Sequence, residues 1–401
     1  MKLSQSQITR FNHRDTLVVI SAYPLKNTTH TGGGLASYTK NTLLGIKKAH
    51  PHQKIVVIAD AKEGPEIYLE KDILIVRVWR RNHPFLFPKI QGVLNQLPRA
   101  KNLLFEFEFA AYGDLFLTGL LPLFLGSLKL QGYQLSLVVH QVVRSLADLS
   151  LHTGLKDRLP LYNRLLKAYY TTLAHLSDHV ITLEAPLAHA FNQITHTKKA
   201  ISLPHGFVIQ KPLAQKLAQQ KLNLPKDNYY VLAFGYLSHY KGSDLLVKAF
   251  QKPLTINGHP VKLILAGGES PTQGQKPHYQ SYYKNLYQDI DSNPSIIHTG
   301  FVPDTRIKAY YSAVDLCIFP YRTFMAASGP LSFALAYRRP FIVSRHLALY
   351  SDRQFDLSTK SIRASIKKAI KLKVKPKLNQ NRLFTNQANS YLNLALSPNR
   401  V

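Results

Sequence analysis

The sequence predicts an α/β protein made of two similar, doubly wound, Rossmann-like domains. The length of 401 residues exceeds what one ordinary hydrophobic core organises, which favours two domains. In both halves, short apolar, β-branched runs alternate with helix-like segments, a pattern typical of parallel sheets covered by helices on both faces. Residues 204–228 combine Pro, Lys and Gln in the manner of a linker carrying a short helix.

The first half carries six predicted strands. They cover residues 15–24, 53–60, 72–79, 102–110, 133–142 and 179–184. Residues 32–50 predict a helix that begins with three glycines. Residues 115–130 form the longest apolar run, but it is shorter than a membrane span requires and it contains Pro122. We therefore expect a buried helix there.

The second half repeats this plan. Its predicted strands cover residues 229–237, 261–268, 295–302, 315–321 and 339–344. Residues 242–253 predict a helix capped by Gly242 or Ser243. We place the first domain at residues 1–205 and the second at 206–370. A basic tail follows at 371–401, with packing against the first domain left open. In such sheets, ligands bind outside the carboxyl ends of the strands, so the cleft between the domains is the expected site.

Composition narrows the class of partner. Lys and Arg number 51 against 22 Asp and Glu, a net charge of +29 that favours nucleic acid, acidic lipid or phosphorylated ligands. A solvated, solubilising surface is the alternative. No nucleic-acid-binding module occurs, so no nucleic acid is expected. The single cysteine, Cys317, predicts a buried thiol in a reducing compartment, and the polar N-terminus lacks the apolar core of a signal peptide. These features favour a cytoplasmic protein.

The first glycine turn is Gly32, Gly33 and Gly34, at the predicted start of a helix. Glycines there let a ligand approach backbone amides at the positive end of the helix dipole, which suits phosphate. A flexible turn is the structural alternative. A nicotinamide enzyme also stays open, because Asp60 ends the second strand as a ribose-binding acid would. Against it, Ser37 stands where the dinucleotide motif has its third glycine.

Two further turns follow strands of the second half. Lys241 and Gly242 open a helix, which places an ammonium group beside free helix amides in a reasonable diphosphate cradle. Gly267 lies in the turn at 265–270. One role of this turn is to leave room for the base or ribose of a ligand, and the alternative is a tight turn with no ligand. No metal-ligand spacing, nucleophile elbow or P-loop occurs, so neither a metal nor another cofactor is expected.

In this order and spacing, the motifs resemble the GT-B glycosyltransferases of the retaining family-four type, the glycosyl transferases group 1. The matching pieces are TGGGLASYTKNT, FEFEFAAYGD, VVHQV, LPHGF, FGYLSHYKGSDLL, LILAGGE, IIHTGFVPDTRIKAYYSAVDLCIFPYR and ASGPLSFALAYRRPFIVS. The resemblance implies an acceptor domain and a donor domain that face each other across a cleft. It implies transfer of a sugar, with retention, from a nucleotide-diphosphate donor to a hydroxyl of a glycan or lipid-linked acceptor, without metal.

The resemblance also assigns roles to residues. His140 would lie near the reacting sugar, with an ordinary polar residue as the alternative, and Lys241 would neutralise the donor diphosphate. Tyr236 stands where many members have an arginine. The donor-binding positions carried over are Gly32, Gly33, Gly34, Gly235, Tyr236, Gly242, Gly267, Ser328 and Gly329.

The chain departs from the family at its two usual glutamates, which fall on Met325 and Phe333. Neither side chain accepts hydrogen bonds from sugar or ribose, although amides at Ser328 and Gly329 are still expected to bind the diphosphate. Glu106 and Glu108 would add acidic contacts from the first domain, unless their strand is an edge strand with one solvated face. The departure leaves a second reading open: an inactive GT-B protein that binds a nucleotide sugar or a partner enzyme.

The acceptor side is marked by residues 79–101, which mix basic and aromatic side chains. Such a segment suits an anionic membrane surface and a lipid-linked acceptor, with an ordinary exposed helix and loop as the alternative. Peripheral attachment to the inner face of the membrane is therefore an option for this protein.

Overall fold

The structure is a computed structural model that describes residues 1–26, 33–109, 111–154, 157–271 and 273–396. Two largely parallel sheets, each flanked by helices, form two domains. The predicted α/β class with two doubly wound domains is confirmed. The predicted boundaries after residues 205 and 370 stay predictions.

The first sheet has eight strands among the described residues. They are β1 (Leu17–Ile20), β2 (Ile55–Asp60), β3 (Glu66–Glu70), β4 (Ile73–Trp79), β5 (Asn102–Phe107), β6 (Gln134–Val139), β7 (His179–Thr182) and β8 (Ala200–Ser202). Their order is β3-β4-β2-β1-β5-β6-β7-β8, and every pairing is parallel except the β3–β4 pairing. Because β5 lies between β1 and β6, the edge-strand reading of this segment is wrong. Every residue of β5 is buried.

Seven α-helices accompany this sheet in the described residues. They are α1 (Gln5–Phe11), α2 (Gly34–Ala49), α3 (Leu86–Leu94), α4 (Leu115–Leu130), α5 (Ser150–Thr153), α6 (Leu159–Leu176) and α7 (Ala185–Thr195). The prediction of a buried α4 is wrong: the helix lies in the outer layer, packs Phe124 on Phe87, and leaves Leu115 and Leu130 exposed. No helix in the described part of the chain is both long and apolar enough to span a bilayer.

The segment at 79–101 also differs from its prediction. Trp79 closes β4 and is buried, and Phe87 is buried beneath α4. Of the aromatic side chains that suggested a basic aromatic surface, Phe85 is the one that is exposed. The reason is that Phe87 lies on the face of α3 that packs on the core, whereas Lys89 lies on the face exposed to solvent.

The described part of the second half forms a sheet of seven strands. They are β9 (Tyr229–Phe234), β10 (Thr255–Ile256), β11 (His259–Ala266), β12 (Ile296–His298), β13 (Leu316–Phe319), β14 (Phe341–Ser344) and β15 (Gln354–Phe355). The main order is β10-β11-β9-β13-β14-β15, with β12 also paired to β11. Cys317 is buried in β13, as predicted, and burial raises the pKa of its thiol to about 12.

The helices of the second half complete the fold. They are α8 (Gln215–Lys221), α9 (Ser243–Phe250), α10 (Pro277–Asp291), α11 (Asp304–Ala313), α12 (Gly329–Ala336), α13 (Thr359–Leu372) and α14 (Phe384–Leu396). The last of these, α14, lies on the first domain against α2 and buries Ala388 and Tyr391 there. Gly45 of α2 is required for this approach, because a Cβ at that position would lie 2.8 Å from Phe384.

Candidate active site

The central strands of the two sheets meet near their carboxyl ends. The segment that follows β6 contacts the loop that follows β13, where the amide of Val142 donates to the carbonyl of Met325 at 2.7 Å. Gln141 forms an isolated antiparallel bridge with Ala326 beside this bond. The residues at these strand ends therefore line one cleft, which is the place where ligands bind in sheets of this kind.

On the first domain, His140 and Glu106 form a buried pair. His140 directly follows β6, its Nε2 lies 2.5 Å from Glu106 Oε2, and its ring meets Tyr38 of α2 edge-on at 4.9 Å. The second carboxylate oxygen of Glu106 is buried without a hydrogen-bond partner. Because a buried carboxylate fixes both the orientation and the tautomer of an imidazole, Glu106 holds His140 in place at the cleft.

Across the cleft, Glu108 and Lys241 influence each other. Burial raises the pKa of the Glu108 carboxyl, against the lowering effect of His140 and Lys241. Burial likewise lowers the pKa of the Lys241 ammonium to about 8, and the nearby Glu108 opposes that shift. The Lys241 Nζ makes no hydrogen bond or ion pair with any residue that the structure describes. The ammonium lies 5.7 Å from the centre of the Tyr240 ring. A half-buried cation that makes no hydrogen bond or ion pair within the described residues is suited to an anionic ligand.

The Lys241 loop depends on glycines that no other residue replaces. Gly242 caps α9 with φ of +75°, and a Cβ there would lie 2.2 Å from the carbonyl oxygen of Pro320. Gly235 ends β9 with φ of +102°, and a Cβ on it would lie 3.5 Å from Lys241 Nζ. A Cβ on Gly267 would meet the carbonyl oxygen of Gly235 at 2.1 Å. These close approaches bring the backbone turns and the ammonium group to one spot.

An ion pair stabilises the start of α9. Arg322 donates to both carboxylate oxygens of Asp244 at 2.8 and 2.7 Å, and its backbone amide donates to the carbonyl of Tyr240 at 2.7 Å. The loop after β13 is thereby tied both to α9 and, through Met325, to the first domain. Sequence reasoning missed Arg322, whose pairing with Asp244 spans distant parts of the chain.

The N-terminus of α12 offers fewer amides than the sequence suggested. Ser328 is the N-cap, and its hydroxyl accepts from the amide of Leu331 at 3.2 Å and pairs with the Tyr321 hydroxyl at 2.8 Å. Pro330 has no amide proton to give. The amide of Gly329 is therefore the donor that this end of the helix presents, while the Ser328 side chain holds the helix start in shape.

The two positions of the missing glutamates are both occupied by apolar contacts. Met325 is buried in a cluster with Val143 and Leu149 of the first domain. Phe333 packs its ring on Phe234 and Tyr311. These side chains fill space between or beneath the strands and provide no acceptor for a hydroxyl group.

The remaining predicted positions fall as follows. Gly32 lies outside the described residues, whereas Gly33 is the N-cap of α2 with φ of +110° and Gly34 is its first residue. A Cβ at Gly33 or Gly34 would meet no atom of the described residues within 4 Å. Tyr236 follows Gly235, and burial and the charge of Asp304 raise the pKa of its hydroxyl. The roles assigned to these residues stay predictions.

A second contact between the domains lies behind His140. His205, at the crossing between the domains, pairs its Nδ1 with the hydroxyl of Ser332 on α12 at 2.9 Å, and its ring contacts Tyr38 at 5.0 Å. Burial lowers the pKa of His205 to about 4, so it is neutral near pH 7. Among the described residues, no three His, Cys, Asp or Glu side chains come together as metal ligands would.

Two doubly wound domains that face each other across such a cleft are the GT-B fold, and the chain has it. Sucrose-phosphate synthase from Thermosynechococcus elongatus superposes with a TM-score of 0.66 at 15% identity, covering 95% of both chains. HepE from Anabaena in complex with UDP and glucose gives 0.61 at 16% identity, covering 96% of this chain and 95% of that one. WaaG, a glycosyltransferase involved in lipopolysaccharide biosynthesis, gives 0.59 at 14% identity, covering 94% and 95%.

Sequence comparison points to a family within that fold. Residues 214–348 match the model of the family "Glycosyl transferases group 1". The lipopolysaccharide 1,2-N-acetylglucosaminetransferase of Salmonella typhimurium is 28% identical over 148 residues, which are 36% of this chain and 38% of that relative. The chain thus matches little more than a third of that relative's length. The resemblance to the glycosyl transferases group 1 is confirmed over residues 214–348, and the retaining type stays a prediction.

Proposed function

We propose that the protein is a glycosyltransferase that moves a sugar from a nucleoside-diphosphate donor to a hydroxyl group of a glycan or lipid-linked acceptor. The observation that carries this proposal is Lys241, whose ammonium makes no hydrogen bond or ion pair with any described residue and lies among glycine turns at the carboxyl end of β9. The HepE structure contains UDP and glucose, and the Salmonella relative is a lipopolysaccharide transferase, which supports a donor and an acceptor of these classes.

The donor diphosphate would lie against Lys241 and the amide of Gly329. As the bond between sugar and phosphate breaks, negative charge grows on the leaving phosphate, and these two groups stabilise it. Gly33 and Gly34 would face the donor from the first domain, and Tyr236 and Gly267 would border its nucleoside. His140, held by Glu106, would lie beside the reacting sugar.

The proposed transfer retains the configuration of the sugar and uses no metal. The departing phosphate oxygen would accept the proton of the acceptor hydroxyl on the same face of the sugar, so neither a protein nucleophile nor a cation cofactor takes part. Lys241 would supply the positive charge that the leaving phosphate needs, and the neutral helix amides would add hydrogen bonds and the helix dipole. We place this activity in the cytoplasm, with peripheral attachment to the inner face of the membrane.

Product analysis tests the reaction. Incubation with UDP- and GDP-sugars and a panel of glycan and lipid-linked acceptors is expected to give a product whose anomeric configuration, read by NMR coupling constants, equals that of the donor. Excess chelator is expected to leave the rate unchanged. An inverted product, or loss of activity that divalent cation restores, would contradict the proposed course of the reaction.

A second candidate is a GT-B protein that binds a nucleotide sugar without turnover. The apolar contacts of Met325 and Phe333 favour it, because the sugar and ribose hydroxyls lose two acceptors that the family resemblance implies. Donor binding by calorimetry combined with no product across the whole acceptor panel would decide for this candidate. Turnover with any acceptor decides against it.

A further inference from the structure

The outer face of α4 is an exposed apolar surface. Leu115, Phe116, Leu123 and Leu130 are 88%, 70%, 71% and 93% exposed. Their spacing places them on one side of the helix, opposite Leu121 and Leu125, which are buried in the core. Contiguous apolar faces of this kind on a folded domain mark interaction surfaces rather than ordinary solvent-facing helices.

Helices on both sides extend this face. On one side Phe87 of α3 stacks on Phe124 at 4.8 Å, and on the other the hydroxyl of Tyr169 on α6 donates to the carbonyl of Thr118 at 2.9 Å. Exposed apolar side chains of these neighbours continue the surface. We call the whole set the apolar rim: Phe85, Leu115, Phe116, Leu123, Leu161 and Leu165.

The apolar rim borders the cleft. In a parallel sheet, the helix that follows a strand begins at the strand's carboxyl end, which here is the cleft side. Glu106 near the end of β5 precedes α4, and His140 at the end of β6 precedes α6. The turn that carries Phe85 is tied to the same edge, because Asn82 Oδ1 accepts the amide of Asp114 at 2.7 Å.

Cations outnumber carboxylates around this surface. The sequences of α3, α4 and α6 contain no Asp or Glu, but two exposed carboxylates lie at the starts of these helices: Asp114 caps α4, and Asp157 comes two residues before α6. The exposed cations on and beside the same helices are Lys89, Arg158, Arg164 and Lys167, while Lys129 pairs with Asp178. An apolar face whose flanking charges are mostly cations is complementary to a bilayer that contains anionic lipid.

The other occupant to consider is a second copy of the chain. Each copy carries a net charge of +29, and two identical faces surrounded by an excess of cations would repel each other. An anionic bilayer instead gains from the same charge. The charge pattern therefore favours lipid over self-association.

We propose that the apolar rim docks this protein on an anionic lipid bilayer. Leu115, Phe116 and Leu123 enter the headgroup region, and Lys89 and Arg164 contact lipid phosphates. The cleft then opens at the membrane surface, where a lipid-linked acceptor enters it directly. The docking names the surface for the membrane attachment that is part of the proposed function, and this last consequence rests on the proposed sugar transfer as well.

Vesicle flotation of the full chain, without any donor, tests the proposal. The vesicles contain phosphatidylcholine alone or with about 30 mol % phosphatidylglycerol, at about 0.15 M salt. The wild-type protein is expected to float with the anionic vesicles and to stay in the dense fraction with the neutral ones. The double variant Leu115→Gln, Leu123→Gln is expected to partition at least about tenfold less.

Matched variants distinguish binding through the apolar rim from non-specific binding to the vesicles. Leu217→Gln, at an exposed leucine of α8 in the other domain, is expected to float like the wild type. Lys89→Glu with Arg164→Glu is expected to weaken binding about tenfold, whereas Lys367→Glu with Lys371→Glu on α13 changes it less than about twofold.

Three results would overturn the proposal. They are wild-type protein that does not float, flotation that the Leu115→Gln, Leu123→Gln variant leaves unchanged, and light scattering that shows a wild-type dimer which this variant dissociates. The last result assigns the face to a second copy. Calorimetry with a nucleotide sugar is expected to give the same affinity for the variant and the wild type, so failure of docking is distinguishable from failure of the proposed transfer.

Discussion

The side chain of Lys241 stands half-buried at the cleft with no hydrogen-bond or ion-pair partner in the described residues, and its charge therefore depends on pH within the ordinary range. Burial lowers its pKa to about 8, and Glu108 restrains that shift. A donor diphosphate would bind the ammonium form and not the amine. The protonation of this one group thus links donor affinity to pH.

Donor affinity is predicted to fall above about pH 8. Below that pH Lys241 is charged and affinity is constant. As the pH rises through the pKa of about 8, the free protein loses the proton that the donor requires, so the dissociation constant rises about tenfold per pH unit. Calorimetry with a nucleotide sugar from about pH 6.5 to 9.5 measures this.

Substitutions at the same position sharpen the test. Lys241→Arg keeps a permanent positive charge, so its donor affinity is expected to stay constant above about pH 8. Lys241→Ala is expected to lose about 2 kcal/mol of donor binding free energy at pH 7. Lys248→Ala, at an exposed lysine of α9, the helix that follows the Lys241 loop, is the control and is expected to change nothing. A wild-type affinity that is flat through pH 9.5 would contradict the assignment of Lys241 to the diphosphate.

Glu106→Gln is predicted to slow turnover without weakening donor binding. The carboxylate of Glu106 lies 2.5 Å from His140 Nε2 and is fully buried, so it would act on the reaction through His140 and not by contact with the donor. Its loss is expected to lower kcat about 10- to 100-fold and to leave KM for the donor unchanged. Steady-state kinetics with varied donor separates the two parameters. An effect on KM alone would show that Glu106 contributes to binding instead.

Among the elements, α12 illustrates how a cap supports a ligand-binding amide. The hydroxyl of Ser328 holds the first turn by accepting from Leu331, and Tyr321 holds that hydroxyl in turn. The amide of Gly329 is then fixed at the cleft. A cap on another helix, away from the cleft, contributes to stability alone. Comparing Ser328 with such a cap therefore separates the effect on stability from the effect on donor binding.

Ser328→Ala is predicted to lower the free energy of unfolding by about 1 kcal/mol and also to weaken donor binding. Ser358 caps α13 by the same bond, from the amide of Ser361 at 3.2 Å, but lies exposed. Ser358→Ala is expected to cost a similar amount of stability and to leave donor affinity unchanged. Urea denaturation and calorimetry on both variants check this. Equal donor affinities in the two variants would remove α12 from the donor site.

At this scale the sequence predicts features whose parts are adjacent in the chain. The Lys241–Gly242 turn followed by α9 was predictable because strand, loop and helix are contiguous. The helix start at Ser328 is predictable for the same reason, although it presents fewer free amides than predicted because Pro330 has no amide proton. The exposed face of α4 was missed, since a helix that is apolar all round has no polar side to show which face meets solvent.

For the whole molecule, the two domains are joined by contacts that are far apart in sequence. Glu184, buried at the end of the first sheet, accepts from Arg382 at 2.5 and 2.8 Å and from the hydroxyl of Tyr350 at 2.7 Å. Together with the Val142–Met325 bond, this network joins the two sides of the cleft. None of these pairings follows from local pattern, because each requires the relative position of the two domains.

Arg382→Ala is predicted to destabilise the protein by about 3 kcal/mol, because it leaves the Glu184 carboxylate buried with only Tyr350 beside it. Arg345→Ala removes an ion pair with Asp356 whose members are 72% and 57% exposed, and it is expected to cost less than about 1 kcal/mol. Urea denaturation of both variants gives the comparison. Equal losses would show that the Glu184 network does not hold the domains together.

The central claim is that this cleft transfers sugar, and acceptor-dependent release of nucleoside diphosphate from a UDP- or GDP-sugar measures it most directly. The account predicts release that requires acceptor in the wild-type protein and falls about 100-fold or more in Lys241→Ala. Release that is absent with every acceptor although donor binds, or that Lys241→Ala leaves unchanged, would contradict it.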